Sequence, residues 1–230
     1  MSEVLETVSA VRMYPIKSGH EATINGEQPQ RLTIGETGFE HDGVADREWV
    51  VIDDTGLFVS QRGWDRQRKA AFVSDKILSL VQVDIQPTHL AITSPSNGHL
   101  EIDKLPDGLQ ISTAFDIFGK TFWGIDEGDD AARFFSKEVI GRPVRLYRTD
   151  FTKLRRLSER YHKPDAVNVM AGADGQPFLW TRQASLDQLH DRADLLRGTK
   201  ALKDYRANVE SCGKLEPFIE DNALVVSLGT

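Results

Sequence analysis

Residues 48–61 read EWVVIDDTGLFVSQ, and this stretch decides the fold class. Trp49, Val50, Val51 and Ile52 are the β-branched and aromatic residues that suit a pleated, half-buried surface. Asp54-Thr55-Gly56 supplies turn chemistry, and Leu57 to Gln61 returns, so the stretch predicts a β-hairpin with Gly56 at positive φ. Working outward, Phe115 to Phe118, Gly119-Lys120 and Thr121 to Trp123 predict a second hairpin. Ile77, Ser79, Val81, Val83 and Ile85 share one parity, as a half-buried strand requires. Up to about residue 125 the chain is a series of short extended segments separated by Gly and Pro, with little helical periodicity.

The pattern then changes. In EGDDAARFFSKEVIG, residues 127–141, Ala131, Phe134, Phe135, Glu138 and Val139 fall at helical spacing. Acids open the segment, where they suit the positive end of the dipole, and Gly141 with Pro143 closes it. A polar segment from Thr149 to Gly175, containing Lys153-Leu154-Arg155-Arg156 and Asp174-Gly175, reads as an extended loop, and loops of this length are functional or mobile. Ser185 and Gln188 have capping-box spacing, which predicts a second helix with Leu186, Leu189, Ala193 and Leu196 along one face. Residues 205–210, 215–218 and 223–226 read as short extended segments. The fold class expected is mainly β with some α (α+β).

At 230 residues, 40% hydrophobic and 27% charged, the chain can bury the core of one large or two small folding units. Its formal charge of -7 argues against a general nucleic-acid surface and leaves room for a local anion pocket. A single cysteine, Cys212, excludes an intramolecular disulfide and any cysteine-rich zinc or iron–sulfur site. The opening MSEVLETVSAVRMYPIKS has no apolar run for a signal segment or a membrane span, so a cytoplasmic protein is expected. The six histidines form no HExxH pattern. His41, Asp42 and Asp46 make the one compact His–carboxylate cluster, read as a capping arrangement rather than a metal site.

Tyr14-Pro15-Ile16-Lys17-Ser18-Gly19 follows an expected strand, so the Lys17 ammonium, the Ser18 hydroxyl and the Gly19 N–H emerge together. Charge, a short directional donor and close backbone approach suit a phosphate. The upstream glycine of a Walker A loop is missing, and the competing reading is a solvated strand end. Asp46-Arg47 precedes the Trp49 strand: Arg47 can clamp a phosphate while Asp46 orients it, or the pair is a plain sheet-edge salt bridge. Ser60-Gln61-Arg62 offers a third basic group near the same edge. Cys212-Gly213 is expected in a polar turn, where the thiolate is a soft metal ligand or the residue is merely small.

Four segments carry a resemblance, in this order. VRMYPIKS and TGFEHDGVADREWVVIDDTGLFVSQR resemble the N-terminal β-barrel domain of MOSC proteins, the amidoxime-reducing-component-like molybdenum cofactor family. EGDDAARFFSKEVIGRPVRLYR resembles the helix and strand that follow it, and FLWTRQASLDQL with DYRANVESCGKLEPFIEDN is similar to the first part of the MOSC domain proper. The resemblance implies an N-terminal β-barrel-like domain over 1–125 and a partial MOSC β-barrel domain with packed helices over 126–230. It implies a molybdenum cofactor (Mo-molybdopterin) whose phosphate is held by Lys17, Ser18 and Arg47. Arg206 and Asn208 match a later cofactor-binding motif in which Ala207 stands where the family has proline, and Ser185 would help line the pocket.

The activity implied is that of an oxidoreductase reducing N-hydroxylated compounds or related N- and S-oxides. It takes a small-molecule substrate, receives electrons from a separate electron-transfer protein, and uses no nucleic acid. In the family the molybdenum-ligating cysteine lies some tens of residues beyond the segment matched by EPFIEDN, and Cys212 lies before it. A C-terminally truncated relative is therefore expected. The alternative is a noncatalytic carrier module that binds pterin or another anion without the metal ligand.

Overall fold

The computed structural model describes residues 6–60, 64–65, 70–71, 76–105, 111–117, 119–162, 167–193 and 202–222. Residues 13–177 make one compact unit, and 1–12 with 178–230 make a second. The architecture is mainly β with some α, as the sequence predicts.

Within the 13–177 unit the expected hairpin forms. The strand Trp49–Asp53 is followed by a turn in which Gly56 has φ 83°. The Asp53 N–H donates to the Leu57 carbonyl at 2.8 Å and the Val59 N–H to the Val51 carbonyl at 2.8 Å. The Asp53 carboxylate accepts from the backbone N–H groups of Thr55 and Leu57, so the turn is built by its own first residue. Gln61 and Arg62 lie outside the described residues. The second hairpin also forms, Ser112–Ile117 with Lys120–Asp126, turning at Gly119 with φ 77°. Val144–Thr149 joins both hairpins into one antiparallel sheet, in the order 112–117, 120–126, 144–149, 49–53. Val50, Ile52, Ile117 and Phe122 form a buried cluster on it.

A second four-stranded sheet runs 99–103, 89–93, 82–85, 22–24, its last pair parallel. The strand expected from Ile77 onward begins only at Gln82, because Lys76–Leu80 is a 3-10 helix. Leu78 and Val81 are both fully buried three residues apart, which is the spacing a 3-10 turn eclipses. Alternation read across that boundary mixed two periods.

The helix expected over 127–141 runs Gly128–Phe134, widens into a π-turn over Phe135–Ile140, and stops at Gly141 with φ 77°. It lies on the strand Val144–Thr149 and buries Ala131, Phe134, Phe135 and Val139. Glu138 is exposed and accepts from the Ser96 hydroxyl at 2.8 Å. The polar segment after Thr149 is more ordered than a loop. Arg155–Arg156 pairs antiparallel with Val169–Met170, and Leu157, Met170 and Ala173 make a small core with Tyr161 against it. The position 125/126 falls within the strand Lys120–Asp126 of this unit.

In the other unit, Glu6–Val11 pairs antiparallel with Val209–Gly213, which pairs parallel with Trp180–Arg182. The helix Gln183–Arg192 follows. Ser185 lies inside that helix and does not cap it; its hydroxyl accepts from the Phe218 N–H at 2.8 Å, and Arg182 holds the cap position without a side-chain capping bond. Cys212 stands on a strand opposite Thr7, exposed, and not in a turn. Residues 223–226 lie outside the described residues.

Candidate functional site

Three backbone bonds tie residues 14–17 to 47–49. The Arg47 N–H donates to the Tyr14 carbonyl at 2.8 Å, the Trp49 N–H to the Pro15 carbonyl at 2.9 Å, and the Lys17 N–H to the Trp49 carbonyl at 2.7 Å. The two motifs singled out in the sequence are therefore neighbours. Asp46, buried, accepts from the Tyr14 N–H at 2.6 Å and pairs with Arg47, whose guanidinium lies 4.9 Å over the Tyr14 ring. This is more than a sheet-edge salt bridge, because Asp46 fixes the segment at Tyr14 and the Arg47 cation together.

Ser18 has φ 67° and Arg47 has φ 53°. Asn25, Asp42 and Asn97 share this left-handed backbone, as Asn and Asp commonly do in turns, whereas Ser18, Arg47, Arg206 and Phe218 are less usual occupants. Three of those four are residues that the sequence assigned to cofactor binding. Strained backbone held by surrounding structure is characteristic of ligand sites.

The second half of the site comes from the segment after Met170. Gly172 donates its N–H to the Arg47 carbonyl at 2.9 Å. A Cβ at Gly172 would meet that same oxygen at 2.5 Å and a Val50 methyl at 3.0 Å, so only glycine allows this approach. The approach brings two successive carbonyls to two cations. Lys17 Nζ donates to the Gly172 carbonyl at 2.8 Å, and Arg155 Nη1 donates to the Ala173 carbonyl at 3.1 Å. Lys17 also pairs with the half-exposed Asp174 carboxylate and lies 5.3 Å over the Phe58 ring.

Burial lowers the Lys17 pKa to about 8, against the partial opposition of Asp174, and the nearby positive charges of Arg155 and Arg47 push it down further. The folded value lies below the ordinary one of 10.5, so between pH 8 and 10.5 the unfolded chain holds the extra proton. Stability at this group is therefore expected to rise across that window by up to about 3 kcal/mol. Urea midpoints at pH 8 and pH 10 check it: the rise should be present in the wild type and flattened in Lys17→Met.

Arg206 and Asn208 belong to the other unit. Arg206 has φ 58° and is half-buried. Asn208 is buried and works within its own sheet: its side-chain oxygen accepts from the Leu179 N–H and its amide donates to the Arg12 carbonyl, both at 3.2 Å. The His41 cluster is not assembled. Asp42 pairs with Lys104 at 2.7 Å and Asp46 with Arg47, and no group of three metal-ligating side chains occurs among the described residues. Sequence reasoning left Arg155, Gly172 and Asp174 without a role; the signal was the clustering of Arg155-Arg156 and Asp174-Gly175 in one polar segment.

The β-rich unit brings a buried lysine, an arginine stacked on a tyrosine and a serine of positive φ together where residues 14–18 meet 46–49. The chain belongs to the MOSC N-terminal beta barrel domain family, whose model matches residues 5–143. It is 26% identical over 219 residues to mitochondrial amidoxime reducing component 2 of Rattus norvegicus, covering 94% of this chain and 59% of the relative. It is 27% identical over 231 residues to mitochondrial amidoxime-reducing component 1 of Mus musculus, covering 97% and 60%. The chain thus spans about 60% of the length of these curated relatives. A solution structure of a Bordetella bronchiseptica protein overlaps 53% of this chain and 90% of its own, with a TM-score of 0.36 and 19% identity. Among the described residues no helix is long and apolar enough to cross a membrane.

The residues present fit the phosphate end of a molybdenum–pterin cofactor. The Lys17 ammonium and the Arg155 guanidinium converge on one segment, with a glycine where backbone must approach closely.

Proposed function

We propose that this chain binds the molybdenum cofactor by its phosphate, through Lys17, Ser18 and Arg47, and serves an oxidoreductase that reduces N-hydroxylated compounds or related N- and S-oxides. The observation that carries this reading is the joining of the Lys17 turn to the Asp46-Arg47 pair through three backbone bonds, with Lys17 buried against Gly172. Lys17 supplies charge, Ser18 a hydroxyl held by an unusual backbone, and Arg47 a planar donor oriented by Asp46 and the Tyr14 ring. Arg206 and Asn208 are proposed as further contacts to the pterin. The barrel-type domain is proposed to extend over 1–125 and a MOSC portion over 126–230. When bound, the cofactor supplies the two-electron and oxygen-atom chemistry; the polypeptide binds and orients it. A small organic substrate and a separate electron-transfer protein complete the scheme, in a reducing cytoplasm that suits a chain with one cysteine.

The test is to purify the chain from a cofactor-making host and measure molybdenum together with pterin fluorescence after denaturation. Pterin is expected near stoichiometry in the wild type and at a tenth or less in Arg47→Glu, since charge reversal places a carboxylate against the phosphate. Pterin with no molybdenum favours a carrier module over an enzyme. Equal pterin in wild type and Arg47→Glu overturns the phosphate assignment.

A further inference from the structure

Arg155 is 4% exposed, yet among the described residues only one of its guanidinium nitrogens has a hydrogen-bond partner: Nη1, on the Ala173 carbonyl. Nε and Nη2 are buried without a partner among the described residues. A guanidinium in this state is costly, because each unmade bond of a buried charged group forfeits its hydration without replacement. Neighbouring carboxylates offset part of its charge and leave both bonds unmade. Asp174 and Asp116 act on Arg155 only through their charge, with no bond to it, and Asp174 is engaged by Lys17.

The position is specific. Arg155 and Arg156 are adjacent on one strand and so point to opposite faces; Arg156 is exposed and Arg155 is buried. Arg155 hangs from the carbonyl next to the one that holds Lys17 Nζ, on the segment that Gly172 ties to Arg47. Three cations, Lys17, Arg47 and Arg155, thus lie beside Asp46 and Asp174, with Asp116 acting on Arg155 through its charge. Nε and one terminal nitrogen form the edge of a guanidinium that matches two oxygens of a phosphate.

We propose that Arg155 is a ligand of the anion site, donating Nε–H and Nη2–H side by side to a dianionic phosphate ester while Nη1 stays on Ala173. The inference rests on the phosphate reading of Lys17 and Arg47 and extends it by one residue. Arg155 acts there as a clamp that selects a dianion able to accept two parallel bonds.

The experiment uses inorganic phosphate as the probe on the whole chain, following the thermal midpoint and the heat of binding. In phosphate-free buffer Arg155→Met is expected to be at least as stable as the wild type, because it removes an unpaired buried charge and keeps an apolar stem of similar length. On titration with phosphate the wild type should be stabilised, and Arg155→Met should need at least about tenfold more phosphate for the same shift. Arg155→Lys should fall between the two, and Arg156→Met should match the wild type. Equal phosphate affinity in wild type and Arg155→Met overturns the proposal and leaves the assignment of Lys17 and Arg47 standing. No response to phosphate in the wild type also overturns it, and the pterin content of the purified chain then decides the cofactor reading separately. If Arg155→Met is destabilised in phosphate-free buffer with unchanged affinity, Arg155 is structural and the proposal fails.

Discussion

Arg148→Met is expected to destabilise the 13–177 unit by about 3–5 kcal/mol at neutral pH, the usual cost of removing one partner from a buried charge network. Arg148 is buried on the strand Val144–Thr149 and reaches out of its own sheet. Nη1 donates to the Lys104 carbonyl at 2.6 Å and Nη2 to the Asp103 carbonyl, at the end of the strand His99–Asp103 in the second sheet. Nε donates to Glu127 at 2.6 Å, just before the helix, and the guanidinium lies 5.0 Å over the Trp49 ring. One side chain therefore joins two sheets, a helix entrance and the central tryptophan. Methionine keeps the stem and satisfies none of these acceptors. Glu127 would retain its bond from the Trp49 indole N–H at 2.6 Å and lose its countercharge.

The loss should depend on pH, through Glu48. Burial raises the Glu48 pKa to about 8, and Arg148 Nε at 4.0 Å is too far to offset it, because Glu127 holds that nitrogen. Below pH 4.5 folded and unfolded states are both protonated at Glu48; between 4.5 and 8 the folded state keeps a proton that the unfolded chain releases. Stability from this group therefore falls as pH rises through that window. Without Arg148, ionising Glu48 is costlier still, so the gap between variant and wild type should be constant below pH 8 and widen above it, where the wild type ionises Glu48 and the variant must keep the proton. Denaturant midpoints of both proteins below and well above pH 8 check the prediction; a difference independent of pH would mean that Arg148 does not hold the Glu48 charge.

The hairpins around Gly56 and Gly119 were legible in the sequence because local turn chemistry and alternation specify them. The helix before Gly141 was legible for a similar reason, an apolar period with acids at one end and glycine at the other. What the sequence left unread is long-range. Glu6–Val11 pairs with a strand some two hundred residues later, and periodicity carries no information about such partners. Ser185 misled because its spacing to Gln188 fits a cap, whereas the helix starts two residues earlier and the hydroxyl serves Phe218. Within the candidate site, Lys17, Ser18 and Arg47 stood out as donors beside turns. Arg155 and Asp174 did not, because their meaning depends on Lys17 across more than 130 residues of chain.

Gly172→Ala is the change expected to damage the site most while leaving every candidate ligand in place. The new methyl would lie 2.5 Å from the Arg47 carbonyl oxygen and 3.0 Å from Val50 Cγ2, and the first of these is backbone that cannot rotate away. The same oxygen accepts the Gly172 N–H at 2.9 Å, so relieving the clash breaks that bond as well. Displacing residues 171–174 carries off the Gly172 carbonyl under Lys17 and the Ala173 carbonyl under Arg155. The expected cost is about 2–3 kcal/mol of stability, from overpacking together with one lost buried bond. Phosphate affinity should fall further than in any single ligand variant, since the donors stay and their common support moves. Circular dichroism of the alanine variant should keep the β-sheet signature, and its Lys17 pKa, read by NMR, should rise from about 8 towards the ordinary value as the side chain regains water. If Gly172→Ala binds phosphate like the wild type, the segment after Met170 is packing alone, and the anion site must be built from the Lys17 turn and Arg47 without it.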